Sequence, residues 1–555
     1  MDSGLVNIAA HLPRLAEKQP FRPAVVFPEL RMPSGKYAYS HYTFQQLDRE
    51  SNRIASGLEK IQIERGVRTV LMVTPSLEFF ALTFALFKLG AIPILIDPGM
   101  GLKNLKQCID EAEPEAFIGV PKAHLARVLL KWGRKSLQQW VTVHPRGLCW
   151  GHSLKKVMVA GDPDSFRMSV THSQDMAAIL FTSGSTGVPK GAVYTHGNFS
   201  DQVEKLRTLY DIQPGEMDLP TFPLFALFGP AMGMTAVIPD MDPTRPAKVD
   251  PSTIIAIIND FGISNMFGSP ALINRVSRYG ETHNVQLPSL RRVISAGAPV
   301  PANVLERFSR MLSPEARIHT PYGATESLPV CSIESREILG ETREMTDKGK
   351  GVCIGKRVPG IEVKVIGITN EPINNWDDSL LIKAGEIGEI VVKGANVTRS
   401  YFRRNEATRY AKIPIKGTDE FYHRMGDVGY FDSTERLWFC GRKTHRIVLN
   451  EETLFTIPCE AIFNTHTEVF RSALVGVSSN GNTMPVICIE LEPAKREQKD
   501  FSRIKNELLE KGSRHELTHR IQHLLFHTAF PVDIRHNAKI FREKLALWAE
   551  RTLKI

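Results

Sequence analysis

QDMAAILFTSGSTGVPKG, residues 174–191, is an apolar run that breaks into glycines and hydroxyl residues around one proline and one lysine. The apolar part reads as a buried β-strand, and the glycine-rich part after it is too small and too polar for ordinary core. A loop of this kind after a strand can turn its backbone N–H groups onto an anion. Glycines permit the close approach and the backbone angles this needs, the hydroxyls add donors, and Lys190 adds charge. The pattern GxxxxGK[ST] cannot be laid on GSTGVPKG, so this is not a Walker A loop. A flexible glycine turn is the plainer alternative, against which the density of hydroxyls counts.

The same strand-then-glycine texture recurs in LRRVISAGAPV (290–300). Between about 40 and 300, helix-like pieces such as SHYTFQQLDRESNRIASGLEK alternate with short β-rich runs such as RTVLMVT and AIPILID. That alternation predicts an α/β architecture with largely parallel sheets, whose ligands gather on loops beyond the carboxyl ends of the strands. Near 380–440 the texture changes to short β segments, EIGEIVVKG and ERLWFCGR, separated by turns. Beyond them come strand-like RSALVGVSS and PVICIELEP and a helix-rich, charged end. The expected organisation is a large N-terminal α/β domain (1–441), a hinge (442–445) and a small, mobile α+β C-terminal domain (446–555).

Composition narrows the class. The chain has 555 residues, 42% of them hydrophobic, and 69 basic against 60 acidic residues give a formal charge of +9. Such a balance suits nucleic acid or an anionic membrane, but there is no long basic run and no nucleic-acid motif. A solvated surface favouring anionic ligands is the simpler reading. Seven scattered cysteines without a CxxC pair point to a reduced, cytoplasmic protein without structural metal. The N-terminus reads as a short amphipathic helix without a signal-peptide core. SLEFFALTFALFKLGAIPILIDPG (76–99) is broken by Glu78, Lys88 and a Gly–Ala–Ile–Pro turn, which predicts a buried helix and a strand, with no integral membrane segment.

Six motifs in order carry a resemblance. TSGSTGVPKG, SAGAPVP (295–301), TPYGATES (320–327), MGDVGYFD (425–432), CGRKTHR (440–446) and NAKIFR (537–542) resemble the signatures of the adenylate-forming superfamily. That superfamily includes acyl-CoA synthetases, luciferases and peptide-synthetase adenylation domains. The resemblance implies an ATP-dependent, AMP-forming ligase that uses Mg²⁺. It implies ATP contacts from Thr182, Ser183, Gly184, Ser185, Thr186, Gly187 and Lys190 in the phosphate loop and from Ala296, Gly297 and Ala298 beside adenine. Tyr322, Gly323, Ala324 and Thr325 would continue the nucleotide site, Tyr322 offering a flat face to the base. Asp427 would accept from the ribose hydroxyls, and Arg442 would reach ribose or phosphate. Thr186 and Glu326 would hold the metal. Lys539, the expected catalytic lysine, would bridge the attacking carboxylate and the α-phosphate. Singly, each of these could be a turn residue, a surface charge or a solvated chain end; their order is what speaks for a site.

Departures from the pattern bear on the second step. PLFALFG (223–229) has Ala226 where the gate motif often has histidine, and Thr444 and His445 replace the usual acidic hinge pair. The stretch IVLNEETLFTIPCE (447–460) contains no glycine, with Thr453 near the place where CoA-using members have one. A β-branched residue there would narrow a pantetheine tunnel. Long stretches, among them DLPTFPLFALFGPAMGMTAVIPDMDPTRPAKVDP and PVDIRHNAKIFREKLALWA, resemble the β-lactone-forming branch that serves bacterial long-chain olefin synthesis. That likeness implies a long-chain 2-alkyl-3-hydroxyalkanoic acid as substrate, lactone closure by its own hydroxyl, and companion enzymes. The alternatives are a long-chain acyl-CoA synthetase or acyl-AMP ligase, and a non-enzymatic nucleotide-binding scaffold. Phe225, Ala226, Phe228 and Met232 are expected to line the acyl site, with plain core as the competing reading. His445 is a candidate base. His515, His519, His523 and His527 recur every four residues and would share one face of a helix, read as a solvated face.

Overall fold

The computed structural model describes residues 6–33, 35–144, 149–182, 189–222, 227–449, 452–479, 481–492, 500–532 and 540–554. Among these the strands gather into three large sheets, followed by a small C-terminal unit. The first sheet is seven-stranded, in the order His152–Ser153, Gln139–Thr142, Ala116–Gly119, Arg68–Met72, Ile92–Leu95, Met176–Thr182, Lys190–Thr195. Its pairs are parallel except the last, which is antiparallel with Thr182 opposite Lys190. The second sheet has nine strands, with Arg317–Ala324, Arg292–Ile294, Asn265–Phe267, Met217–Pro220, Thr235–Val237 and Pro23–Arg31 running parallel through its centre. The third is antiparallel and carries Gly388–Gly394, Phe421–Phe431 and Leu437–Arg442 side by side.

The helix Leu77–Leu89 shows how local sequence sets these layers. Ser76 caps it by accepting from the Phe79 amide at 3.2 Å, and Gly90 ends it with φ 68°, where a side chain would be strained. Nearly every residue is buried, since the helix lies between the first two sheets' cores. Lys88 is buried too, and its ammonium is satisfied by Asp48 (2.6 Å), Ser51 (2.8 Å) and Asn52 (2.6 Å) on the neighbouring helix Phe44–Glu59. No helix among the described residues is long and apolar enough to cross a membrane.

From Ile447 onward the chain forms its own cores. Val469–Ser479, Asn482–Leu491 and His523–Phe526 make a three-stranded sheet covered by helices Thr456–Asn464, Phe501–Ser513 and Arg542–Leu553. The architecture is thus a large N-terminal α/β domain and a smaller C-terminal one. The histidine stripe corrects one expectation, because it lies on no helix. Helix Phe501–Ser513 ends before it, the Thr518 hydroxyl donates to the Gly512 carbonyl at 2.7 Å, and His523–Phe526 runs parallel to Val486–Ile489. Ile521 and Leu524 are buried in the C-terminal core. Pairing with the sheet buries Leu524, and tertiary packing overrides the helical spacing.

Candidate active site

A cavity of about 1150 Å³ opens outside the carboxyl ends of both parallel sheets. Its wall takes in Met72–Pro75 and Leu95–Asp97 from the first sheet, and Thr221, Phe267, Ala296 and Gly297 from the second. Gly297 has φ 98°, so the loop after Arg292–Ile294 turns in a way that only glycine adopts without strain. Gly323 meets a different constraint: a Cβ there would stand 2.6 Å from the Ser327 carbonyl oxygen.

Beside Gly323 and Gly426, which line the cavity, stands a buried polar cluster. Asp427 and Arg442 are directly opposed on paired strands. One Asp427 carboxylate oxygen accepts from the Tyr322 hydroxyl at 2.6 Å, and the other lies 3.0 Å from the Arg442 guanidinium. Burial and the neighbouring Asp427 charge push the Tyr322 phenol well above its ordinary range, so it stays a donor. Arg442 also donates to the Met425 carbonyl at 3.2 Å. Tyr322 therefore fixes Asp427 from behind, in addition to whatever face its ring presents.

Glu326 sits in the turn between strands Arg317–Ala324 and Ser327–Glu334 and lines the cavity. The Tyr401 hydroxyl donates to its Oε1 at 2.7 Å, and its other carboxylate oxygen accepts no hydrogen bond from the described residues. The Thr398 amide donates to its main-chain carbonyl at 2.9 Å. Lys190 places its ammonium 5.0 Å from the centre of the Tyr401 ring. The buried Lys412 donates to the Thr398 carbonyl, and burial lowers its ammonium to about 7. A glutamate lining a cavity that Lys190 and Arg442 also line suits Mg²⁺ beside polyphosphate.

A third group lies at the entrance to the C-terminal domain. Glu389 is fully buried, and Arg424 (2.6 Å) and Lys443 (3.0 Å) share its carboxylate. Next along, His445 lies 3.3 Å from Glu543 and is not among the cavity's described lining residues. Burial, then the Arg542 charge, lowers its imidazole to about 4. Thr453 pairs with Val448 in a two-stranded hairpin, so β-branched residues face each other where the CoA-using pattern has glycine.

The AMP-binding enzyme family model matches residues 12–402. The chain belongs to the AMP-binding enzyme family. It is 50% identical over 550 residues, covering 98% of both chains, to the olefin beta-lactone synthetase of Xanthomonas campestris pv. campestris. It is 49% identical over 554 residues, covering 99% of both, to that of Stenotrophomonas maltophilia. Its fold matches the anthranilate CoA ligase AuaEII, solved with anthranoyl-AMP, at a TM-score of 0.79 and 18% identity, covering 100% of this chain and 99% of that one.

In this AMP-binding enzyme the expected residues divide into three groups. Lys190, Ala296, Gly297, Gly323, Ala324, Thr325, Glu326, Arg442 and Phe228 line the one cavity. Tyr322, Asp427 and Ala298 stand next to lining residues, while Met232 packs in the core cluster. Ser183, Gly184, Ser185, Thr186, Gly187, Phe225, Ala226 and Lys539 lie outside the described residues, as does the side chain of Thr182. Among the described residues nearby, Val532 and Ile540 are bridge partners and Arg542 is paired with the buried Glu460. Sequence reasoning missed Tyr401, Glu389 and Lys443. A glutamate inside the apolar run EIVV was the available sign, since a carboxylate in a buried strand needs cationic partners.

Proposed function

We propose that this enzyme uses ATP to activate the carboxylate of a long-chain 2-alkyl-3-hydroxyalkanoic acid and then closes a β-lactone. The observation that carries this reading is the 50% identity over 98% of both chains with an olefin beta-lactone synthetase. In the first half-reaction a carboxylate oxygen attacks the α-phosphorus and diphosphate leaves with the electron pair of the broken P–O bond. In the second, the 3-hydroxyl oxygen attacks the acyl carbon, its proton departs to a base, and AMP leaves. Attack from within the same molecule gains the large effective concentration of a unimolecular step.

The chain's own residues divide the work. Asp427, oriented by Tyr322 and Arg442, accepts from the ribose hydroxyls. Lys190, with Ser183, Ser185 and Thr186, meets the phosphates, and Lys539 places positive charge where it offsets the charge that develops at phosphorus. Glu326 and Thr186 would hold Mg²⁺, which supplies charge neutralisation for the diphosphate leaving group. The C-terminal domain, beginning after a hinge at 442–445, acts as the lid that delivers Lys539. The β-branched pair at Val448 and Thr453 favours closure over transfer to CoA.

The test is mass analysis of the products formed from a synthetic 2-alkyl-3-hydroxy acid with ATP and Mg²⁺, with and without CoA. β-Lactone and AMP in both reactions are expected. CoA thioester with no lactone would replace this reading with an acyl-CoA ligase.

A further inference from the structure

Along a strand, alternate side chains fall on opposite faces of the sheet. In the first sheet Leu71, Leu95 and Leu180 belong to the core on one face, while Met72, Ile96 and Phe181 pack with the core on the other. All six line the same cavity. The cavity therefore wraps round the carboxyl edge of the sheet and has two lobes. One runs among Phe84, Phe87, Phe199 and Phe228, toward the second sheet. The other lies on the opposite face among Leu105, Ala123, Ala126 and Trp132, from helices Leu102–Ala112 and Pro121–Leu129 and the turn after the latter. Ala407 and Tyr410 of helix Asn405–Ala411 also line the cavity. Arg404, just before that helix, is tied to Glu111 of helix Leu102–Ala112 at 2.6 Å.

We propose that the second lobe, lined by Leu105, Ala123, Ala126 and Trp132, holds the second alkyl chain of the substrate. The two chains of a 2-alkyl-3-hydroxy acid then lie on opposite faces of the sheet, with the carboxylate at its edge. This rests on the substrate class proposed above. Two chains leaving adjacent carbons diverge, and a single narrow slot cannot enclose both. Each methylene moved from water onto an apolar wall strengthens binding roughly fourfold, so a chain left in solvent would forfeit most of the available selectivity. Ala123 and Ala126 are small and half-buried, one helical turn apart, which leaves width for a chain between them and Leu105.

The test uses the full-length enzyme and pyrophosphate release, with three acids: one long-chained at both C2 and C3, one with methyl at C2, and one with methyl at C3. In Ala126→Phe, kcat/KM for the two-chain acid relative to one of the single-chain acids is expected to fall about tenfold or more, the loss of roughly two methylene contacts. Ala123→Leu, a smaller change that helix Pro121–Leu129 tolerates, should shift the same ratio in the same direction if Ala126→Phe does not fold. A uniform loss for all three acids in folded variants, or an unchanged ratio, overturns the proposal. Pyrophosphate release reads acid recognition alone. Absence of lactone from the unaltered enzyme would therefore count against ring closure and leave the lobe assignment to be decided by the ratio.

Discussion

Asp427 and Arg442 meet because two strands are paired in register. Phe87, Phe199 and Trp132 line the same cavity because three separate elements fold onto the sheet ends. The first wall is polar and held by directed bonds: each group has a partner at a set distance, and losing one leaves the other buried and unsatisfied. The second is apolar and non-directional, tolerant of exchange so long as volume is kept. On the function proposed above, the first wall would hold the nucleotide and the second would sort alkyl chains. Mutations should therefore act sharply on the first and gradually on the second.

The largest expected effect tests the sharpness of the polar wall at its base. Glu389→Gln leaves the buried Arg424 and the half-buried Lys443 without their shared counter-charge. Breaking such a pair costs about 3–5 kcal/mol, measured as a fall in the denaturant midpoint. A change within experimental error would mean that the polar wall does not depend on this network.

Next comes Lys539→Ala, which should slow adenylation about 10²–10³-fold, as removal of one electrostatic donor to a transition state does, with acid binding preserved. Undiminished pyrophosphate release would remove the lysine from the site. Asp427→Asn should cost about 1.5–3 kcal/mol, the worth of hydrogen bonds to a charged group. The loss should show in kcat/KM for ATP and leave chain-length preference unmoved. A change in chain preference would erase the distinction between the walls.

The smallest effect at neutral pH concerns His445. Its folded imidazole titrates at about 4, below the ordinary 6.5, because of burial. The unfolded chain therefore takes up a proton first as pH falls. The stability this group contributes is fully present above 6.5 and is lost progressively down to about 4. Unfolding monitored from pH 7 to 4 should show a decline, and His445→Gln should lessen it by one group's share, the rest coming from other buried histidines such as His196 and His319.

The same contrast explains what the sequence disclosed. Polar site residues sit in short motifs because the chemistry admits few residue types at fixed spacings, so Gly297, Glu326, Asp427 and Arg442 could be picked out from the order of six such motifs. The apolar wall left no such trace: Phe228 lines the cavity and Met232, four residues on, is core, yet both are apolar positions in one run. Alternation predicted the parallel sheets, but which residues face the cavity depends on where a strand ends relative to its neighbours, which is a property of the assembled sheet. The histidine stripe misled for the same reason, its period matching a helix while the chain there turns and then enters a strand at His523.

Glu389 and its two cations carry one more consequence. Lys443 also donates to the Thr369 carbonyl at 3.0 Å, so the start of the connection between the domains is pinned to the large one by three acceptor atoms. If the C-terminal domain moves as the lid proposed above, a swing that began at Arg442 or Lys443 would strip a half-buried ammonium of these acceptors. That proposal then places the pivot at Thr444 or beyond, with the Arg442–Asp427 pair left on the side of the large domain.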